Sequence, residues 1–257
     1  MLALITGGTN GIGADAAMRM AARGDHVIFT GRNRDRGQEL LSALPGAGHV
    51  FVPLEAGDDA AWQDALERHV GDRPLDVLIL NAGGGSSTAG AQDPIELLDP
   101  VNLERMFDLN LKDAVIGLRL SLPYLYKADA PKVIVTASIA GLVPNYLDPI
   151  YSTLKAGAIA LVRAIAPALA ERGVTITAVC PGSTLTGMTP AHFVTEHQDG
   201  TLISRRTGSP IQAAERVSEL FDQLIESSQP GDVWLVDPRT PTRVFESAEL
   251  WPGKVTV

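Results

Sequence analysis

Short apolar runs alternate with longer amphipathic segments along most of the chain. The runs have strand length and cover residues 2–5, 26–30, 50–53, 75–80, 132–137, 174–179 and 233–236. The segments between them have helical periodicity and cover residues 11–23, 34–43, 59–70, 102–126, 151–171 and 211–228. Apolar strands alternating with helices are typical of a parallel sheet with right-handed crossovers and helices on both faces. The pattern predicts an α/β fold, a single doubly wound domain around a seven-stranded parallel sheet.

Length and composition agree with one domain. The chain has 257 residues, 45% of them hydrophobic, which is enough to bury a substantial core. The alternating pattern covers residues 1–237, which we predict to be the domain, and residues 238–257 form a C-terminal tail whose role the sequence leaves open. Two connections are long, at 83–100 and 182–210, and long ordered loops are usually functional. We interpret 182–210 as a lid.

The net charge and the number of cysteines indicate which binding partners and which cellular compartment to expect. The net charge of −9 and the pI near 5.0 disfavour binding to nucleic acid. The single cysteine, Cys180, allows no internal disulfide and suits a reducing compartment. The chain starts with strand residues rather than a leader-like segment, so we expect a cytoplasmic protein. The longest apolar stretch, 156–170, is interrupted by Arg163 and Pro167 and is shorter than the ~20 residues of a membrane span, so no membrane association is expected.

A glycine-rich turn follows the first apolar run. Residues 6–13 read Thr-Gly-Gly-Thr-Asn-Gly-Ile-Gly and lead into a helical segment. Glycines allow backbone N–H groups to approach an anion, and the helix N-terminus adds partial positive charge. An ordinary tight turn is the alternative, but the strand before it and the helix after it favour dinucleotide binding.

Tyr151 and Lys155 are four residues apart, and Ser138 lies thirteen positions before the tyrosine. On a helix this spacing places the phenol and the ammonium on one face. A phenol has an ordinary pKa of about 10, and a neighbouring cation favours its ionised form. A partly buried ring beside a solvated charge is the alternative interpretation. The group nevertheless suits proton transfer at a reacting oxygen.

These motifs together resemble the short-chain dehydrogenase/reductase family. The resemblance covers residues 2 to about 237 and also includes Asn81-Ala82-Gly83, Asn110, and Pro181-Gly182 followed by Thr186. It ends where the family's usual Asp-Gly-Gly is replaced by Asp237-Pro238-Arg239. The resemblance implies a Rossmann-type fold with strand order 3-2-1-4-5-6-7.

The resemblance also implies roles for individual residues. Tyr151 is then the acid and base, Lys155 tunes the phenol and binds the nicotinamide ribose, Ser138 bonds the substrate oxygen, and Asn110 holds a water linked to Lys155. A local helix kink is the alternative for Asn110. The cofactor-binding residues are then Gly7, Thr9, Asn10, Gly11, Ile12, Gly13, Arg32, Asn33, Glu55, Asn81, Ala82, Gly83, Tyr151, Lys155, Pro181, Gly182, Thr184 and Thr186. Glu55 replaces the family's usual adenine-contacting aspartate, and no metal site is expected.

The end of the second run indicates which nicotinamide cofactor is preferred. An NAD site normally offers a carboxylate here, whereas an arginine accommodates the 2′-phosphate of NADP. Gly31 stands at the carboxylate position and Arg32 follows it. Asp35 lies too far into the next helix to substitute. We therefore expect NADP(H) to be preferred, with NAD(H) possible.

The predicted function is an NADP(H)-dependent oxidoreductase that interconverts a ketone or aldehyde and an alcohol. A non-catalytic dinucleotide-sensing regulator, and a lyase or epimerase using the same cofactor, are the alternatives. The substrate is expected to be an apolar or aromatic carbonyl or alcohol compound, because its predicted wall includes Leu142, Val143, Tyr146, Leu147, Met188 and Phe193, together with Ser86 and its neighbours.

Segment 151–171 is apolar around most of its circumference, although Pro167 removes a helical donor. A helix that covers a sheet normally keeps a solvated face, so a second buried contact is expected. We predict a homodimer or homotetramer.

Overall fold

Each apolar run of the sequence forms a strand of one sheet in the computed structural model. The structure describes residues 1–85, 99–143, 148–187, 189, 194–197, 199–205 and 208–246. The seven strands are β1 (Leu2–Ile5), β2 (His26–Gly31), β3 (Val50–Pro53), β4 (Val77–Leu80), β5 (Lys132–Thr136), β6 (Thr175–Pro181) and, after two short strands of the long loop, β9 (Val233–Asp237). Their side chains are mostly buried, because helices cover both faces of the sheet.

Within the described residues, the sheet contains eight strands rather than the predicted seven. Its order is β10-β9-β6-β5-β4-β1-β2-β3, so the predicted arrangement is confirmed for the seven parallel strands. The additional strand is β10 (Thr240–Val244), which pairs antiparallel with β9 at the sheet edge. The prediction missed β10 because Thr240-Pro241-Thr242-Arg243-Val244 has only a weak alternation of polar and apolar residues. The first residues of the predicted tail therefore join the sheet, whereas residues 247–257 lie outside the described part.

The helices form two layers. They are α1 (Gly11–Ala22), α2 (Arg34–Ala43), α3 (Asp59–His69), α4 (Pro100–Phe107), α5 (Asp113–Leu125), α6 (Pro149–Ala170) and α7 (Glu215–Glu226). Residues of α3, α5 and α6 pack with one face of the sheet in the larger core cluster. Residues of α1, α2 and α7 pack with the opposite face.

Three helix boundaries differ from the sequence pattern. The predicted helix 102–126 is divided by a π-helical turn, Asp108–Lys112, between α4 and α5. Helix α6 starts earlier, with Asp148 as its N-cap and Pro149 in its first turn, and it continues past Pro167. Helix α7 starts at Glu215 rather than at 211, because Gln212 instead forms a bridge with Thr184.

The long loop 182–210 contains a small hairpin, β7 (Val194–Glu196) paired with β8 (Leu202–Ser204). Its predicted substrate-wall residues Met188 and Phe193 lie outside the described residues, as do Ser86, Tyr146 and Leu147. Of the same predicted wall, Leu142 packs partly against the core and Val143 is exposed. The lid function of this loop therefore stays a prediction.

Helix α6 is long and apolar enough to cross a membrane by length and composition, with a mean hydropathy of 1.5. Core helices pass the same test, and this one packs Ala158, Ile159 and Val162 into the larger core cluster. The apolar stretch 156–170 is part of this helix, which the sequence predicted at 151–171 and which the structure extends to Pro149.

Candidate active site

The candidate residues collect at the carboxyl edge of the sheet. Gly7 follows β1, Asn81 follows β4, Ser138 follows β5 and Gly182 follows β6. These four strands are neighbours in the sheet, in the order β6, β5, β4, β1. The carboxyl ends of parallel strands are where open α/β sheets bind ligands.

The glycine-rich turn is shaped by close backbone approaches. Gly7 and Gly11 have φ values of +61° and +53°, a region that favours glycine. A Cβ at Gly13 would overlap the carbonyl oxygen of Gly7, and one at Gly7 would lie 2.9 Å from Cα of Ala82. Helix α1 begins at Gly11, so the first-turn N–H groups face the turn without helical acceptors. The turn has the geometry of an anion cradle.

Thr6 and Asn81 fasten this turn to the end of β4. The Thr6 hydroxyl accepts hydrogen bonds from the backbone N–H groups of Asn81 and Ala82, both at 2.9 Å. The Asn81 amide donates to the carbonyl oxygens of Thr6 at 3.2 Å and Gly7 at 3.3 Å. Asn81 therefore fixes the turn through its side chain.

The segment after β6 reaches across to the same turn. A Cβ at Gly11 would lie 2.6 Å from Cγ2 of Thr186, and one at Gly187 would overlap the amide of Asn10. The Thr184 hydroxyl donates to the carbonyl oxygen of Gly182 at 2.9 Å. Predicted cofactor residues from distant parts of the chain are thus brought together around one cradle, and this geometry fits a dinucleotide.

The structure places the side chains of three further predicted cofactor residues in different surroundings. Ile12 is buried in the core, so only its backbone faces the turn. Asn33 is the N-cap of α2 and accepts from the N–H of Arg36 at 2.9 Å. Pro181 ends β6 in a buried position.

Arg32 and Glu55 meet at the far end of this edge. The guanidinium Nε of Arg32 lies 3.9 Å from Oε2 of Glu55, and both side chains are largely exposed. They line a groove together with Ala56, Val101, Glu104, Arg105, Asp108 and Leu109. A side chain at position 31 would require Thr9 to shift, because a Cβ there would lie 2.6 Å from Cγ2 of Thr9.

Tyr151 lies in the first turn of α6, beside Ser138 at the end of β5. Burial of the phenol raises the pKa of Tyr151 to about 12, while a hydrogen bond with Ser138 opposes that rise and the nearby charge of Asp148 adds to it. The sequence led us to expect the opposite direction, from Lys155. The ammonium Nζ lies 5.7 Å from the ring centroid, and desolvation outweighs it. At neutral pH the phenol is a protonated hydroxyl, ready to act as a hydrogen-bond donor or acid.

Lys155 is buried one helical turn after Tyr151. Its Nζ donates to the carbonyl oxygen of Thr136 at 2.9 Å, and the side chain is 3% exposed. Burial lowers the pKa of Lys155 to about 8. A Cβ at Gly83 would lie 2.9 Å from Nζ, so the ammonium lies directly against the backbone of Gly83 and leaves no room there for a side chain.

Asn110 is buried in the π-helical turn between α4 and α5. Its Oδ1 accepts from the N–H of Gly84 at 3.0 Å, and its Nδ2 donates to the carbonyl oxygens of Gly84 at 2.9 Å and Met106 at 3.0 Å. Such single-turn bulges are frequent at functional sites. The Asn110 amide holds the segment Gly83-Gly84 against Lys155, and its predicted role in holding a water stays a prediction.

Three residues to which the sequence analysis assigned no individual role also shape the site. Thr6 supplies the hydroxyl that accepts two strand-end amides. Asp148 caps α6 by accepting from the N–H of Tyr151 at 3.1 Å. Gln212 donates to Thr184 and to the carbonyl oxygen of Val236. Asp148 was recognisable in the sequence as a capping residue directly before a proline, whereas Gln212 has no local signal.

Comparison with known proteins agrees with this geometry. The family model described as short chain dehydrogenase matches residues 1–197. D-beta-hydroxybutyrate dehydrogenase of Cupriavidus necator is 28% identical over 250 residues, covering 96% of this chain and 90% of that protein. Cis-4-hydroxycyclohexanecarboxylate dehydrogenase of Sinomonas cyclohexanicum is 31% identical over 186 residues, covering 70% of this chain and 72% of that protein.

A solved structure shares the architecture. The 3-ketoacyl-ACP reductase of Sinorhizobium meliloti superposes with a TM-score of 0.74 at 25% identity, covering 92% of this chain and 97% of that chain. The match of a family model to most of the chain, together with a relative above 30% identity, settles the family. The chain belongs to the short-chain dehydrogenase family and is an oxidoreductase that acts on a hydroxyl group.

Proposed function

We propose that this protein is an NADP(H)-dependent oxidoreductase that interconverts a ketone or aldehyde and the corresponding alcohol, with Tyr151 as its acid and base. The observation that carries the proposal is the convergence of Ser138, Tyr151 and Lys155 beside the glycine-rich cradle. A protein that only senses a dinucleotide has no use for a protonated phenol held next to a buried lysine.

The three side chains have complementary tasks at one oxygen atom. The bound nicotinamide supplies the hydride chemistry. In reduction, Tyr151 gives its phenolic proton to the carbonyl oxygen as charge develops there. The Ser138 hydroxyl, which is hydrogen-bonded to the phenol of Tyr151 in the structure, donates a hydrogen bond to the same carbonyl oxygen. Lys155 stabilises the phenolate that remains, and in alcohol oxidation the proton returns to Tyr151.

The preference for NADP(H) is supported by the shape and charge around position 31. A carboxylate side chain at that position would require the side chain of Thr9 to shift, so the NAD-type contact is disfavoured. Arg32 is exposed next to it, and a guanidinium matches the geometry of a phosphate. Its contact with Glu55, at 3.9 Å between exposed side chains, is weak and can be exchanged for a phosphate contact.

Replacing Arg32 by alanine is expected to weaken NADPH binding by about 10-fold or more, because a charged hydrogen bond contributes roughly 1.5–3 kcal/mol. NADH binding should change by less than about twofold, since that cofactor lacks the 2′-phosphate. The dissociation constants of both cofactors, measured by fluorescence titration, test this expectation. Arg68→Ala removes an exposed arginine from α3 and serves as the control. Unchanged cofactor preference in Arg32→Ala would contradict the assignment.

The substrate class is proposed from the predicted apolar wall and from the relatives. We expect a secondary alcohol or its ketone attached to an apolar or aromatic body. The names of two relatives indicate a hydroxybutyrate and a hydroxycyclohexanecarboxylate as their substrates. Linear hydroxy acids and cyclic alcohols therefore belong in the first panel, beside aromatic and aliphatic ketones.

Net change in NADPH absorbance during incubation with this panel tests the proposed function. Oxidation of NADPH by a ketone, or reduction of NADP by an alcohol, supports it. A substrate converted without net change in absorbance would point to a lyase or epimerase. Tight NADPH binding without turnover of any substrate class in the panel would favour the dinucleotide-sensing regulator.

We also propose that the protein forms a homodimer or homotetramer through α5 and α6. Helix α6 leaves small apolar residues exposed, among them Ala156, Ala160 and Ala164, and α5 exposes Val115. A partner subunit is the expected cover for such a face, since small residues allow close helix packing. Sedimentation at micromolar concentration is expected to show dimers or tetramers, and Ala160→Arg should shift them towards monomer. A wild type that sediments only as monomer would contradict the proposal.

A further inference from the structure

Asp237, the last residue of β9, is followed by Pro238 and Arg239, where the resemblance described above would place two glycines. The structure turns the chain back at this point into the edge strand β10. Pro238 and Arg239 form the turn, so Arg239 is held close to Asp237. Residues 237–239 therefore have a defined local structure.

Arg239 donates three hydrogen bonds to the carboxylate of Asp237. Its backbone N–H and Nε lie 3.0 Å and 2.7 Å from Oδ1, and Nη2 lies 2.9 Å from Oδ2. Asp237 is 3% exposed, and the bonds from Arg239 lower the pKa of this carboxyl. A side-on, two-point contact of this kind fixes the direction of the carboxylate as well as its charge.

The carboxylate in turn packs against Gly182. A Cβ at Gly182 would overlap Oδ2 of Asp237, so the two residues are in direct contact. The backbone N–H of Gly182 donates to the carbonyl oxygen of Val236 at 2.7 Å. Gln212 donates to that same carbonyl at 2.9 Å and to the Thr184 hydroxyl at 3.2 Å. The end of β9 therefore fixes the position of Gly182, where the segment after β6 begins.

The segment after β6, residues 182–187, forms one wall of the cofactor cradle. Only a few residues separate Gly182 from Thr186, which touches Gly11 of the glycine-rich turn, and from Gly187, which touches Asn10. A change in direction at Gly182 would be carried to these contacts, because the intervening chain is short.

We propose that Arg239 is a positioning residue that acts through Asp237 to hold residues 182–187 in the conformation that receives the nicotinamide end of the cofactor. The inference rests on the proposed function, since it assigns that segment to NADP(H) binding. Without the arginine, the carboxylate at Gly182 is free to reorient, and the segment samples conformations that do not bind. A smaller competent fraction raises the apparent dissociation constant in proportion.

The test compares Arg239→Ala with Arg243→Ala, which removes an exposed arginine from the adjoining strand β10. We expect the dissociation constant for NADPH, measured by fluorescence titration, to rise about 10-fold in Arg239→Ala, corresponding to a tenfold smaller competent fraction. Arg243→Ala should bind NADPH like the wild type. Amide hydrogen exchange in the protein without cofactor should accelerate in residues 182–187 of Arg239→Ala alone.

A double-mutant cycle with Asp237→Asn shows whether Arg239 acts through the carboxylate. The two effects on NADPH affinity should be clearly less than additive. Full additivity, unchanged NADPH affinity, or unchanged exchange in residues 182–187 would each overturn the inference while leaving the proposed function intact. A wild type that fails to bind NADPH would instead refute the proposed function, and the inference with it.

Discussion

Replacing Tyr151 by phenylalanine is expected to lower turnover by about 10³-fold or more and to leave NADPH affinity within about twofold of the wild type. The substitution removes one oxygen atom and keeps the ring that packs in the first turn of α6. The lost oxygen is the proton donor, and the hydroxyl of Ser138 that remains is far too weak an acid to replace it at a developing alkoxide. Initial rates and fluorescence titration measure the two effects separately.

The control for this variant is Tyr124→Phe, which makes the same chemical change on α5, where the ring lies under Lys127. It should keep wild-type turnover and affinity. Turnover of Tyr151→Phe within about tenfold of the wild type would remove Tyr151 from its assigned role. A parallel loss of NADPH affinity would show that the phenol acts on the cofactor rather than on the substrate.

Replacing Lys155 by methionine is expected to damage both catalysis and cofactor binding. Methionine fills a similar volume, but it cannot stabilise the phenolate of Tyr151 or bind the nicotinamide ribose. We expect turnover to fall by about 10²-fold or more, and the dissociation constant for NADPH to rise by roughly 10-fold or more, as for the loss of a charged hydrogen bond. A loss of turnover with unchanged NADPH affinity would show that Lys155 contributes to catalysis but not to cofactor binding.

The same variant should be more stable than the wild type when no cofactor is present. Burial lowers the pKa of Lys155 to about 8, below the 10.5 expected for an unfolded lysine. The unfolded chain therefore binds more protons between these values, and the free energy of unfolding rises with pH from about 8 to 10.5. Below pH 8 the buried charge costs on the order of 3 kcal/mol, since one pKa unit is about 1.4 kcal/mol.

Denaturant unfolding of the wild type and Lys155→Met at pH 7 and pH 10 tests this linkage. The variant should be the more stable protein at pH 7, and the difference should shrink at pH 10. Lys127→Met, at an exposed position on the turn after α5, is the control and should show neither effect. Lower stability of Lys155→Met at both pH values would show that the bond to Thr136 outweighs the cost of burying the charge.

The sequence by itself determined the elements and their order, because these depend on local pattern. The seven apolar runs became the seven parallel strands, since a strand covered on both faces must be apolar throughout. The glycine-rich turn was readable because positive φ and close backbone approach require glycine. The spacing of Tyr151 and Lys155 placed both on one face of α6 for the same local reason.

Only the tertiary structure decided what depends on burial and on residues distant in sequence. The pKa of Tyr151 is raised rather than lowered, because desolvation by the surrounding chain exceeds the effect of the one cation that the sequence showed nearby. Strand β10 exists because β9 offers it an unpaired edge, although its own residues have little strand pattern. The contact of Asp237 with Gly182 joins positions far apart along the chain, and only the adjacency of β6 and β9 in the sheet brings them together.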